Sequence, residues 1–98
     1  MKRYPSERQW ELFRLYEDCP PPLPPLIFIQ LWEVSYSELA TLTDASRSTV
    51  EHWFSSGASR REPAERCCRR LAEVHLLWLN SERIEPSLIQ IWCRLEQP

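Results

Sequence analysis

Residues 35–54 read SYSELATLTDASRSTVEHWF, and the reading of the whole chain follows from them. Ser35 with Glu38 three residues on is a capping-box spacing, so a helix opens there. Leu39, Ala40 and Leu42 are its inward positions, and Thr43-Asp44-Ala45 ends it. Ser46 then caps a second helix running from Arg47 to about Phe54. The buried set across the pair is Leu39, Ala40, Ala45, Val50 and Trp53. Ala40 is small where the two helices cross closely, and Val50 and Trp53, three apart, turn inward together. Arg47, Ser48, Glu51 and His52 are expected to point away from the core. A short helix with such groups near its N-terminal end suits the major groove of a duplex.

This stretch resembles the helix-turn-helix of the Cro/CI-like (XRE-type) transcriptional regulators. Their pattern is Leu-Ala, a spacer, a turn, then Ser-x-x-Thr-Val/Ile-x-x-Trp, matched here by Leu39-Ala40, Ser46, Thr49, Val50 and Trp53. The resemblance extends weakly over 25–98, with Leu26–Glu33 as the family's first helix and the helices from Pro63 and Pro86 as its fourth and fifth. It implies an all-α, compact five-helix domain that binds double-stranded DNA and regulates transcription, with the recognition helix at about 47–54. The DNA-facing residues it implies are Arg47, Ser48, Thr49, Glu51 and His52 on that helix. Tyr36 and Ser37 at the start of the helix before it, and Arg60 and Arg61 in the loop after it, complete the set. The chain departs from the pattern at Asp44, where the family has a turn glycine, and at Phe54, where a polar residue is common. The ending Ser55-Ser56-Gly57 is one residue longer than usual.

Outward from the motif, residues 6–18 read as a helix capped by Ser6 with Gln9 three residues on. Trp10, Phe13 and Tyr16, widened by Leu12 and Leu15, form its apolar side. This helix, over 1–19, is an addition to the family pattern. A proline-rich spacer at 20–25 (PPPLPP) joins it to a domain at 26–98. Five prolines in six residues demand extended polyproline backbone, which serves either as a stiff spacer or as a ligand for an aromatic-grooved partner. Leu26 to Trp32 is read as a buried helix with Pro25 at its first position, a buried strand being the competing assignment. The single glycine, Gly57, is placed as a helix stop, Pro63 as the start of a long helix reaching Asn80, and Pro86 as the start of a last helix to Glu96. On the long helix Cys67, Leu71, Val74 and Trp78 recur at helical spacing, as do Leu88, Ile91, Trp92 and Leu95 on the last.

Charge sorts along the chain. Twelve Lys and Arg face fourteen acids, a net charge of −2, which excludes a protein that coats nucleic acid through bulk positive charge. Yet residues 46–70 carry six Arg against Glu51, Glu62 and Glu65. Arg47, Arg60 and Arg61 are expected at phosphates or base edges. Arg66, Arg69 and Arg70 serve either the same purpose or a solvated face paired with Glu62, Glu65 and Glu73.

One Gly among 98 residues excludes a glycine-rich phosphate cradle. No apolar run is long enough for a membrane span, and Met1-Lys2-Arg3-Tyr4 lacks a signal's apolar stretch, so a cytoplasmic location with reduced thiols is expected. Cys19, Cys67, Cys68 and Cys93 show no zinc spacing, and neither His52 nor His75 has a partner at a catalytic spacing, so no metal, cofactor or enzymatic activity is expected. Cys67-Cys68 beside three Arg leaves a redox-sensing thiol open. Five Trp are many for one thin core; Trp53 and Trp78 are assigned to it, and Trp10, Trp32 and Trp92 are in surplus. The surplus points to a homodimer with the 6–18 or the 86–96 helix at its interface. The alternative function is a helix-turn-helix fold used as a protein–protein adaptor, favoured by the acidic pI of 5.7.

Overall fold

The structure is a computed structural model and describes residues 2–18 and 21–95. Cys19, Pro20 and Glu96, on which parts of the sequence reading fall, lie outside the described residues. The described chain is all-α, with helices α1 (Glu7–Asp18), α2 (Pro25–Leu31), α3 (Tyr36–Thr43), α4 (Arg47–Trp53), α5 (Glu65–Leu79) and α6 (Pro86–Leu95). A single 3₁₀ turn spans Gly57–Ser59.

Local chemistry sets most of these boundaries. The Ser6 amide donates to Gln9 Oε1 at 2.7 Å and the Gln9 amide to Ser6 Oγ at 3.2 Å, the reciprocal cap expected for α1. The same pair recurs at α3, where Ser35 N donates to Glu38 Oε1 at 2.8 Å and Glu38 N to Ser35 Oγ at 3.1 Å. Pro25 occupies the first turn of α2, where a missing N–H costs nothing, so the apolar run is a helix and not a strand. Leu23 N donates to the Cys68 carbonyl at 3.0 Å and Pro25 is buried, so the end of the proline run lies against α5.

The core is Phe28 of α2, Leu39 of α3, Val50 and Trp53 of α4, and Cys67 and Leu71 of α5. Ala40, Leu42, Ala45, Phe54 and Val74 pack around it half-buried. Thr43 is also buried; its hydroxyl donates to the Leu39 carbonyl at 2.7 Å, which satisfies it inside α3. Four helices therefore build the core. The expected fifth, α6, forms, but none of its described side chains is buried, and the same holds for α1. The Cα radius of gyration is 16.7 Å, with principal extents of 55 × 28 × 25 Å. A compact domain of this length would have about 13 Å. The difference is α1 and α6 reaching past the core.

Two boundaries depart from the sequence reading, the start of α5 and the place of Gly57. α5 starts at Glu65, not Pro63, because proline fixes φ but not ψ and Ala64 stays extended at φ −64°, ψ 146°. α4 ends at Trp53, its last turn closed by Phe54 N donating to the Glu51 carbonyl at 3.2 Å. Gly57 is thus not the stop of α4; at φ +70° it opens the 3₁₀ turn further on. Trp78, assigned to the core, is 36% exposed because α5 outruns the body. It packs edge-on to Trp32, ring centroids 5.0 Å apart, and Trp32 in turn donates its indole N–H to His75 Nδ1 at 3.0 Å.

Candidate nucleic-acid interface

The turn between α3 and α4 fixes how the two helices meet. Asp44 sits in the left-handed region at φ 56°, ψ 37°. Its amide donates to the Thr41 carbonyl at 3.4 Å, and the Ala45 amide reaches back to the Ala40 carbonyl at 3.1 Å. This pair of bonds closes a helix whose next residue is left-handed. Asp holds this left-handed position at modest cost, since it tolerates the conformation better than most side chains.

Ser46 then caps α4. Its hydroxyl accepts from the Thr49 amide at 3.0 Å and lies 2.9 Å from Thr49 Oγ1. Thr49 is half-buried and its hydroxyl is spent in this cap, so of the expected DNA-facing set it serves to order the first turn. Val50, fully buried, and Trp53 anchor one side of α4, which leaves Arg47, Ser48 and Glu51 exposed on the other.

Arg47 links the two helices. Its Nη1 donates to Ser37 Oγ at 2.6 Å and its Nε to Glu51 Oε1 at 3.1 Å. Arg47, Ser37 and Glu51 are thereby brought together on one exposed patch, and Ser48 stands beside them at the first turn of α4. An exposed pair of this kind is worth little in stability, so Arg47 is held without being committed. Tyr36 stacks flat on Phe54, centroids 4.9 Å apart and 8° between planes, which joins the start of α3 to the end of α4. This stack gives the half-buried Phe54 ring its partner. The sequence carried no signal for it, since the two residues are distant in the chain and meet only once the turn is made.

His52 corrects an expectation. It is half-buried and not turned out to solvent. Its Nδ1–H donates to the Ser59 carbonyl at 2.8 Å, and its own carbonyl accepts from the Arg61 amide at 3.0 Å. It braces the loop that follows α4, because the 3₁₀ turn brings Ser59 back over the helix. Arg60 and Arg61 are exposed on that braced loop, with Arg60 3.7 Å from Glu62 in a loose pair.

The three Arg of α5 divide otherwise than expected. Arg69 Nη2 donates at 3.2 Å to the carbonyls of both Tyr16 and Glu17, and Arg70 Nε donates at 2.7 Å to the Leu42 carbonyl. They serve the C-terminal ends of α1 and α3, where carbonyls lack helical partners and a cation is favoured. Neither pairs with Glu65 or Glu73 as the solvated-face alternative required. Arg66 is exposed and forms no ion pair among the described residues. It joins Arg47, Arg60 and Arg61 as an available cation.

Cys67 and Cys68 are buried, and Cys67 Sγ lies 3.9 Å from the Thr43 carbonyl. Burial, then the neighbouring Cys67 and Glu65, push the Cys68 thiol above its ordinary range, away from thiolate. Of the three flanking Arg, Arg69 and Arg70 are engaged by carbonyls and Arg66 is exposed. Among the described residues, no three His, Cys, Asp or Glu side chains converge as metal ligands, and Cys19 lies outside them. Nor is any helix among them long and apolar enough to cross a membrane.

Comparisons with protein-family models, with curated proteins and with solved structures found no match for this chain.

Proposed function

We propose that the chain is a helix-turn-helix transcriptional regulator that binds double-stranded DNA selectively, with α4 in the major groove. The observation that carries this reading is the division of α4. Val50 and Trp53 are locked in the core while Arg47 and Ser48 stand exposed at the first turn, with the cations of Arg60, Arg61 and Arg66 beyond. In this reading Arg47 releases Glu51 and forks onto a guanine edge, and Ser48 bonds to a neighbouring base. Tyr36, Ser37, Arg60 and Arg61 meet phosphates and set the register. Thr49 and His52 act from behind, the first by capping α4 and the second by bracing the basic loop. The net charge of −2 keeps sequence-independent binding weak. Cytoplasmic placement belongs to this proposal, and no catalytic step does.

The adaptor reading retains one observation in its favour: α1, α5 and α6 expose much apolar surface that DNA binding does not use. Selection of the full chain against a random-sequence duplex library separates the two. A regulator enriches one motif, bound at least ~10³-fold tighter than random duplex. No enrichment at low salt would leave α4 as a protein-contact surface.

A further inference from the structure

α4 carries its two exposed charges at the ends where a helix favours them least. Arg47 stands in the first turn and Glu51, the only acid of the helix, in the last. The helix dipole prefers the opposite arrangement, and base before acid at i, i+4 is the weaker order for such a pair. The two side chains are 62% and 55% exposed, so the 3.1 Å contact between Arg47 Nε and Glu51 Oε1 adds little to stability. Helix energetics therefore do not account for this acid. Ser37 Oγ accepts from Nη1 of the same guanidinium at 2.6 Å. Among the described residues, Arg47 Nη2 and Glu51 Oε2 have no bonded partner.

We infer that Glu51 is a specificity-determining residue: it holds Arg47 until a guanine takes the guanidinium, and then accepts from the N4 amino group of a cytosine close by. The inference rests on the DNA-binding reading of α4 and adds to it the identity of a second base pair. An ionised carboxylate offers acceptors only. Left in the major groove when Arg47 departs, it needs a donor, and the base donors there are cytosine N4 and adenine N6. The adenine amino group lies between two acceptors, its own N7 and the thymine O4. The cytosine amino group has an acceptor, guanine O6, on one side only, so a carboxylate is repelled less there.

Helix geometry places the second base pair. Residues four apart advance about 6 Å along a helix, and bases follow one another at about 3.4 Å along the duplex axis. Glu51 therefore arrives one or two steps from the guanine that Arg47 takes. The same carboxylate works against unmatched sites. Where Arg47 trades it for a phosphate, the acid is left without a donor amid the negative charge of the backbone. The Ser37 hydroxyl is neutral and yields Nη1 more easily than the carboxylate yields Nε, so Glu51 is the stronger of the two holds on Arg47.

Selection of the full chain, of Glu51→Gln and of Glu51→Ala against a random-sequence duplex library tests it, with anisotropy on the selected and a scrambled duplex. Glu51 is exposed, so the far-UV circular dichroism of all three should agree; if Glu51→Ala loses helicity, Glu51→Gln decides alone. The wild-type motif should hold two G·C pairs one or two steps apart. In Glu51→Gln one of them should become A·T, because an amide matches adenine N6 and N7. In Glu51→Ala the same column should lose its preference while the other stays G·C. Both variants should bind the scrambled duplex about 3-fold tighter than wild type, the effect of one carboxylate about 6 Å from a phosphate in water. One motif shared by all three proteins, or a wild-type motif with a single G·C pair in that span, overturns the inference and leaves the DNA-binding reading standing. No motif for the wild type overturns both.

Discussion

Valine at position 44 should destabilise the fold by about 1 kcal/mol, whereas glycine there should leave it as stable or slightly more so. Asp44 holds φ 56°, ψ 37° between α3 and α4. The left-handed region costs an L-residue about 1–2 kcal/mol, with Asp at the low end because its short polar side chain is tolerated there. Valine, branched at Cβ, takes the full cost and has no such relief. Glycine removes the strain but adds about 0.4–1 kcal/mol of unfolded-chain entropy, so the two effects nearly cancel. The bonds from Asp44 and Ala45 to Thr41 and Ala40 are main-chain, so neither substitution deletes a partner. Urea melts followed by circular dichroism read the difference directly. In thermal melts the valine variant should lie about 4–8 °C below the glycine variant for a domain of this size. If valine and glycine prove equally stable, position 44 is not left-handed, and the α3–α4 crossing that sets the exposed face of α4 is wrong.

Three further outcomes follow from other contacts. The Ser35 amide and hydroxyl hold the Glu38 carboxyl below the usual carboxylate range. A lowered native pKa contributes stability that is present above the unfolded carboxylate pKa and is lost as pH falls through the lowered one. Acid titration of stability should therefore flatten in Glu38→Gln, which keeps an acceptor for the Ser35 amide but cannot titrate. His75→Leu should cost about 1 kcal/mol in urea melts and shift Trp emission, because the half-buried Trp32 indole N–H loses its acceptor, whereas His75→Gln should recover most of the loss. Alkylation followed by peptide mass mapping should label Cys93 quickly in the native protein and Cys67 and Cys68 only on unfolding; fast labelling of Cys68 would contradict its burial.

What could be read from the sequence was the chemistry that acts within one turn of chain. Both capping boxes, the Pro25 start and the inward pair Val50 and Trp53 depend on neighbours three or four residues away, and the structure has them as read. What could not be read depends on where a loop or a helix end arrives in space. His52 looked like a base reader because its helical position is outward, but the 3₁₀ turn carries the Ser59 carbonyl to it. Arg69 and Arg70 were open to nucleic-acid contact or to pairing with acids on their own helix, yet their guanidinium groups meet the carbonyl-rich ends of α1 and α3. Trp78 has the periodicity of a core position, and periodicity carries no information on where the body beneath a helix stops.

In the proposed function the exposed first turn of α4 reads base edges while the basic loop after it holds phosphates. This assignment is tested most directly by fluorescence anisotropy on a selected and a scrambled duplex across a salt series. Wild type, Arg47→Ala and Arg60→Ala/Arg61→Ala are compared. Arg47→Ala should lose about 1–3 kcal/mol on the selected duplex and far less on the scrambled one. Arg60→Ala/Arg61→Ala should weaken both alike and reduce the slope of log affinity against log salt by about 2. Equal binding of the two duplexes by the wild type, or full affinity of Arg47→Ala for the selected one, would contradict the account.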